Sequence, residues 1–239
     1  LIPVLICIGF IAVIYASIGH GGASGYMAVL VLFGYEIEAI RPLALLLNLL
    51  VAGVSFYAFK QRGYFDWKLI APFIIGSVPA AFMGSQILLE SQPYKLILGS
   101  CLLVATLRIA FPIKKSKREK EISIFLKIVI GISIGLLSGM IGIGGGILLS
   151  PLLLLLGLAG SKKIAAASAL FIWVNSFAGL SGLLLADSTF QLDVLPILLI
   201  ATAGALLGGL LGSRIYSGLV LQRVLAVVLL LASIKLIFI

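Results

Sequence analysis

The sequence contains few of the groups that carry out chemistry in water. Its 239 residues include one histidine, two cysteines and eight acidic residues. No stretch matches a phosphate-binding loop, a His-Glu-x-x-His zinc site or a Gly-x-Ser-x-Gly nucleophile turn. Cys7 and Cys101 lie in separate apolar segments, which is typical of small buried hydrophobic residues. These absences argue against an ATPase, a hydrolase, a metal site and a disulfide framework, and we expect no cofactor.

Hydrophobic residues are abundant instead. They make up 62% of the chain and the mean hydropathy is +1.28, whereas soluble domains are about 45–50% apolar. Charge-free windows at 42–59, 69–89, 164–186 and 194–213 approach the ~20 residues that cross a bilayer as a helix. They lack the period-2 alternation of outer-membrane strands. The sequence therefore predicts an all-α integral membrane protein.

The net charge of +9 comes largely from one short segment. Five of the seven residues from Lys114 to Lys120 are basic. A short basic loop between apolar segments is typical of the cytoplasmic side of a membrane and suits an anionic lipid surface. We therefore predict a basic cytoplasmic linker at 113–121 rather than a nucleic-acid partner.

A glycine cluster occurs twice in the chain. The segment from Ser17 to Ala23 returns 123 positions later as the segment from Met140 to Gly146. Gly34 and Gly157 are also 123 positions apart, and Asn48 and Asn175 are 127 apart. Internal repeats are common in secondary transporters. We predict two homologous membrane repeats, at 1–112 and 122–239.

The spacing around each glycine cluster indicates a broken helix. As one helix, residues 3–34 would extend about 48 Å, which is too long for one crossing of ~30 Å and short for two. A glycine-broken or re-entrant pair of short helices fits better, followed in each half by three spanning helices. We expect these spans near 39–59, 67–89, 94–111, 163–186, 191–213 and 219–239.

The distribution of Lys and Arg favours inverted repeats. With the basic linker inside and an odd number of crossings in each half, twelve basic residues lie in inside loops, and only Arg41 and Lys95 lie outside. Four crossings per half would place eight basic residues inside and six outside. The positive-inside rule therefore predicts that both termini lie outside the cytoplasmic membrane.

The glycine clusters are the candidate substrate site. The first turn of a helix has unpaired N–H groups and a partial positive charge, and glycine lets an anion approach the backbone closely. Close helix packing through small residues is the structural alternative. The proposed substrate-binding glycines are Gly19, Gly21, Gly22, Gly142, Gly144, Gly145 and Gly146.

Three polar side chains near the clusters extend this prediction. Asn48 and Asn175 could donate to an anion, or they could hydrogen-bond a neighbouring helix. His20 is the only histidine, and histidine changes charge near neutral pH. It could therefore carry a coupling proton or hold the anion, or it could be a neutral structural residue.

The two halves resemble the TauE/SafE family, also called the sulfite exporter or toluene sulfonate uptake permease family. The resemblance lies in the run from Gly142 to Gly146, the following Ser150-Pro151, and the turn from Gly63 to Asp66. It extends over essentially the whole chain. The first cluster departs from the pattern at His20 and Ala23. The resemblance implies transport of sulfite, sulfonates or sulfur-containing carboxylates across the cytoplasmic membrane, coupled to an ion gradient.

We therefore expect a secondary transporter that moves a small anion by alternating access, with a proton or sodium ion as the coupling partner. An anion channel that uses the same breaks as a constriction is the alternative. The sequence leaves the oligomeric state open.

Overall fold

A computed structural model describes residues 2–87, 91–110, 122–186 and 194–214, together with positions 230, 233, 234 and 237. All regular secondary structure in these residues is helical. The nine helices among them are α1 (Ile2–Ser17), α2 (Ala23–Leu32), α3 (Ile37–Lys60), α4 (Trp67–Ser85), α5 (Ser91–Ala110), α6 (Ile124–Ile141), α7 (Gly146–Leu155), α8 (Ser161–Leu185) and α9 (Val194–Arg214). The predicted linker at 113–121 and most of the predicted span at 219–239 lie outside the described residues.

Five of these helices are long and apolar enough to cross a membrane. The candidate spans are Ala39–Lys60, Trp67–Ser85, Ile124–Ile141, Lys162–Leu185 and Val194–Gly212, in α3, α4, α6, α8 and α9. They coincide with charge-free windows or with apolar segments predicted from the sequence. Large apolar side chains cover the outside of these helices, as Phe125 on α6 and Leu199 on α9 illustrate. The helical membrane fold is therefore confirmed.

Both glycine clusters interrupt the helices. Each is followed by a helix of only ten residues, α2 and α7. At 1.5 Å per residue such a helix is about 15 Å long, half the thickness of the hydrocarbon core. Nine of the ten residues of α2 are buried. The short helix α2 is thus enclosed by protein, where a break in the backbone is tolerated.

The two short helices end in the same way. Gly34 and Gly157 have positive φ angles of 83° and 64°. The next residue in each case donates its N–H five residues back, from Tyr35 to Leu30 O at 3.0 Å and from Leu158 to Leu153 O at 3.1 Å. This is the Schellman pattern of hydrogen bonds.

Glycines bring two pairs of helices into close contact. On α6, a Cβ atom at Gly131, Gly135 or Gly139 would collide with a backbone carbonyl oxygen of α4. On α9, a Cβ atom at Gly204 or Gly208 would collide with a backbone carbonyl oxygen of α1 in the same way. Small residues at every fourth position are the usual means of close helix packing in membranes. Glycines outside the two clusters thus serve close helix packing.

The relative directions of the helices in these two pairs follow from the contacts. Gly131 packs at Phe73, Gly135 at Ser77 and Gly139 at Ala81, so α4 and α6 run in the same direction. Residue numbers also rise together along α1 and α9, from Gly9 with Gly204 to Ser17 with Gly212.

The pair of α3 and α8 behaves differently. Leu45 packs at Gly179, Asn48 bonds Ser176, and Gly53 packs at Trp173. Residue numbers fall on α8 as they rise on α3, so the two helices that carry Asn48 and Asn175 are antiparallel.

Candidate functional site

The first break is a helix end followed at once by a helix start. At the end of α1, Gly19 has φ 81° and donates its N–H to Ala16 O, while His20 N–H donates to Tyr15 O at 2.8 Å. Gly22, directly before α2, has φ 96°. Left-handed backbone at these two positions requires glycine. The chain therefore leaves α1 and begins α2 within five residues.

The second break is built in a similar way. Gly142 has φ 88° and ends α6, and Ile143 N–H donates to Ser138 O at 3.2 Å. Gly144 and Gly145 have φ angles of 71° and 75° before α7 begins. Three of the four residues between α6 and α7 are glycines with positive φ angles. This break is one residue shorter than the first, and a side chain at these glycines would strain the backbone.

One side chain joins the two breaks. Asn48, on α3, is 0% exposed. Its Oδ1 accepts the N–H of Ala23 at the start of α2 at 3.0 Å, and its Nδ2 donates to Ile143 O in the second break at 3.3 Å. A further hydrogen bond from Nδ2 reaches Ser176 Oγ at 3.2 Å. In this conformation Asn48 positions the breaks, and its predicted contact with an anion stays a prediction.

Ile172 fills the space beside both breaks. A Cβ atom at Gly21 would lie 2.9 Å from Ile172 Cγ2, and one at Gly144 would lie 3.1 Å from the same atom. Gly146 also packs against Ile172. The amino-terminal ends of α2 and α7 thus meet around Asn48 and Ile172, with no room for larger residues at these glycines.

Several backbone donors at this meeting point are unused. Among the hydrogen bonds of the described residues, none uses the N–H of Gly21, Gly22, Gly144, Gly145 or Gly146. The start of a helix leaves such groups free and adds roughly half a unit of positive charge. Two helix starts together therefore form an environment that favours an anion.

A hydroxyl group lies at the same place. Tyr26, in the first turn of α2, is fully buried, and its hydroxyl has no hydrogen-bond partner among the described residues. This oxygen is 2.8 Å from where a Cβ atom at Gly22 would lie. A buried hydroxyl without a partner is unfavourable, and its position beside unused N–H groups suits a polar ligand.

His20 connects the first break to α7. Its Nε2 is 2.9 Å from Ser150 Oγ, and its Nδ1 is 3.1 Å from Ile18 O. Because a carbonyl oxygen only accepts, Nδ1 carries the hydrogen, and in the neutral ring the Ser150 hydroxyl donates to Nε2. Gain of a proton at Nε2 would reverse this bond and make Ser150 the acceptor.

Asn175 lies at the position on α8 that corresponds to Asn48 on α3, but its contacts differ. It is 1% exposed, and its Nδ2 donates within its own helix to Phe171 O at 2.8 Å. Its Oδ1 has no hydrogen-bond partner among the described residues. The two asparagines predicted as a pair are therefore satisfied to different degrees.

Arg41 has a role that was not predicted from the sequence. The count of basic residues places it outside the membrane, but Arg41 lies in the second turn of α3 and is 8% exposed. Its Nη2 donates to Ser85 O of α4 at 3.2 Å and to Gly139 O of α6 at 3.3 Å. A lone arginine beside an apolar run was the available signal, since ionised groups within membrane segments usually face the protein interior.

Arg41 also borders the second break. Its Cβ and Cγ would lie 3.5 Å from a Cβ atom at Gly142, and its guanidinium stacks 5.7 Å from the centre of the Tyr94 ring. Tyr94 in turn donates its hydroxyl to Ile141 O at 2.7 Å. Together Arg41 and Tyr94 tie the ends of α4 and α6 to the starts of α3 and α5.

Comparison with known proteins shows related membrane transporters. Residues 4–236 match the family described as sulfite exporter TauE/SafE. The chain is 34% identical to the probable membrane transporter protein y4hK of Sinorhizobium fredii, over 95% of this chain and 94% of that protein.

More distant relatives are longer than this chain. The chain is 24% identical to the probable membrane transporter protein MamO of Paramagnetospirillum magneticum, over 82% of this chain but 37% of that protein. No solved structure matches the chain. The nearly complete family match and the relative of similar length agree with the helical membrane fold, and the chain belongs to the TauE/SafE family of membrane transporters.

Proposed function

We propose that this protein is a secondary transporter that moves small sulfur-containing anions, such as sulfite or organosulfonates, across the cytoplasmic membrane. The observation that carries the proposal is the meeting of two helix starts, α2 and α7, with five unused N–H groups and the Tyr26 hydroxyl. The substrate class comes from the family, whose description names sulfite.

The chemistry of the site suits an oxyanion. Each oxygen of a sulfite or sulfonate group accepts hydrogen bonds, and the site supplies donors from the backbone. Such donors bind an anion without the strong attraction of a full charge. This is an advantage for a carrier, because the substrate must also leave.

The proposal includes inverted repeats that alternate in access. Its support is the direction of the helices: α3 and α8, which carry Asn48 and Asn175, run antiparallel, whereas α4 runs with α6 and α1 with α9. A twofold axis in the membrane plane would relate α1 to α6 and α4 to α9, and it would give these directions. Rocking of one repeat against the other would then expose the breaks to each side in turn.

The proposed orientation places the basic linker in the cytoplasm and both termini outside. The burial of Arg41 removes one of the two basic residues that had been counted outside. The contrast between the two sides therefore becomes larger, which supports the orientation under the positive-inside rule.

The coupling ion is proposed to be a proton carried by His20, with sodium as the alternative. His20 bonds Ser150 of α7 across the two repeats. A change in its charge would therefore alter a contact between the halves that are proposed to move.

A binding panel tests the proposal. Purified protein is heated with sulfite, sulfate, thiosulfate, sulfonates, small carboxylates and, as the ionic-strength control, chloride. A ligand at 100 times its Kd stabilises the folded state by about 2.7 kcal/mol. We expect stabilisation by one or more sulfur oxyanions. Equal melting temperatures in all salts would contradict the proposal.

A further inference from the structure

We propose that Asn48 and Asn175 cap the two short helices alternately, so that Asn175 is a positioning residue for α7 in the opposite state of the transport cycle. The inference rests on the proposed alternating access. It starts from an asymmetry: Asn48 Oδ1 accepts the first N–H of α2, whereas Asn175 Oδ1, 127 positions later, accepts nothing among the described residues.

The helix that Asn175 would cap lacks its cap in this structure. Gly146 corresponds to Ala23 at the offset of 123, and its N–H takes part in no hydrogen bond among the described residues. The acceptor Asn175 Oδ1 and the donor Gly146 N–H are thus both buried and unsatisfied. The equivalent groups in the first half, Asn48 Oδ1 and Ala23 N–H, are bonded to each other. Each unsatisfied group is unfavourable.

The position of Asn175 on α8 fits this role. The residues of α8 that pack at the second break are Ser168 and Ile172 at Gly146, Phe171 at Gly145, and Ile172 and Ser176 at Gly144. At 100° per residue, position 175 falls in the centre of the face formed by 168, 171 and 172. Asn175 therefore lies on the side of α8 that faces the break.

Alternate capping by the two asparagines also explains why Asn48 contacts both breaks. In this conformation its Nδ2 bonds Ile143 O and Ser176 Oγ in the second half. In the exchanged conformation Asn175 Oδ1 accepts Gly146 N–H, and Asn175 Nδ2 leaves Phe171 O for the backbone of the first break. Because each state satisfies one cap and leaves the other open, the two states stay close in free energy, as a carrier requires.

Hydrogen exchange of the purified protein tests the inference. Mass spectrometry follows peptides covering 20–27 and 143–150 in the wild type, Asn48→Ala and Asn175→Ala. A lost hydrogen bond speeds amide exchange by roughly tenfold. In the wild type we expect the start of α2 to exchange more slowly than the start of α7. In Asn48→Ala this order should reverse, and in Asn175→Ala the wild-type order should be kept while transport falls.

The control is Ser168→Ala, which removes another buried hydroxyl without a partner from the same face of α8. It should leave the order of exchange unchanged. The inference would be overturned if both asparagine variants changed the relative exchange rates of α2 and α7 in the same direction. It would also be overturned if α2 still exchanged more slowly than α7 in Asn48→Ala. Exchange is measured without substrate, so a protein that shows the reversal but carries no anion would refute the proposed function and leave the alternating caps standing.

Discussion

At the scale of single residues, glycine makes the candidate site possible. Gly144 combines a φ of 71° with contacts to Asn48, Ile172 and Ser176. A side chain there would strain the backbone and push into three buried neighbours. The requirement for glycine is therefore steric as well as conformational.

Replacement of Gly144 should abolish anion binding. In Gly144→Val, strain of about 1–3 kcal/mol and the added methyl groups should displace the N–H groups of the second break, and the thermal shift with sulfite should disappear. Gly160→Val is the matched control, because Gly160 has φ −70° and no atom near its Cβ position. A monodisperse Gly144→Val protein that binds sulfite normally would contradict the backbone site.

His20 should set the pH dependence of transport. Glutamine can keep a hydrogen bond to Ser150 but cannot gain a proton near neutral pH. We therefore expect His20→Gln to transport anions with a flat profile between about pH 5.5 and 8, where the wild type varies. The pH profile is measured as anion uptake into proteoliposomes over this range. If His20→Gln keeps the wild-type profile, the role of His20 is structural.

The sequence revealed the site only in part at this scale. The repeated glycines and the paired asparagines were visible as a spacing. The hydrogen bonds that satisfy Asn48 and leave Asn175 open were not visible, because they depend on how α3 and α8 lie against the breaks. Arg41 was misplaced because a charge count treats every arginine near a helix end as a loop residue.

At the scale of elements, the helix contacts divide the glycines into two groups. Those of α6 and α9 allow close packing against α4 and α1, whereas those of the breaks have positive φ angles. Composition alone does not separate these groups. The four-residue spacing of Gly131, Gly135 and Gly139 is the signal for packing.

Bulk at the α4–α6 contact should destabilise the protein without a specific effect on binding. Gly135→Leu collides with the backbone of Ser77, and overpacking costs about 1–3 kcal/mol or more. We expect a clear fall in melting temperature in detergent. Leu137→Ile on the outer face of α6, where Leu137 is 39% exposed, should melt like the wild type. Equal melting of both variants would argue against the contact.

Arg41 should stabilise the ends of α4 and α6. Arg41→Ala leaves Ser85 O and Gly139 O without this donor, at a cost of about 1–3 kcal/mol for each buried group. The melting temperature should fall, and Arg41→Lys should recover part of it. The control is Arg62→Ala in the exposed turn after α3. If this variant lowered the melting temperature as much as Arg41→Ala, the loss of stability would not come from the burial of Arg41.

At the scale of the whole molecule, the proposed twofold relation between the halves links topology to transport. The sequence predicted an odd number of crossings in each half from the charge distribution. In the structure α3 packs antiparallel to α8, and the number of crossings in each half stays a prediction. The sequence could not reveal whether each short helix completes the crossing of the membrane or returns to the side from which the chain entered. Both arrangements use the same glycines.

The sidedness of the termini can be measured directly. A reporter fused after Ile239 should be active only outside the cytoplasm, because positively charged loops stay inside. A second reporter inserted in the linker at 113–121 should give the opposite result. A cytoplasmic signal after Ile239 would overturn the proposed orientation.

The central claim is that the breaks carry an anion by alternating access. Counterflow of labelled sulfite in proteoliposomes tests it most directly. We predict saturable uptake that is accelerated by unlabelled sulfite inside and is lost in Gly144→Val but not in Gly160→Val. Uptake that rises linearly with concentration and ignores the internal sulfite would indicate a channel, and it would contradict the account.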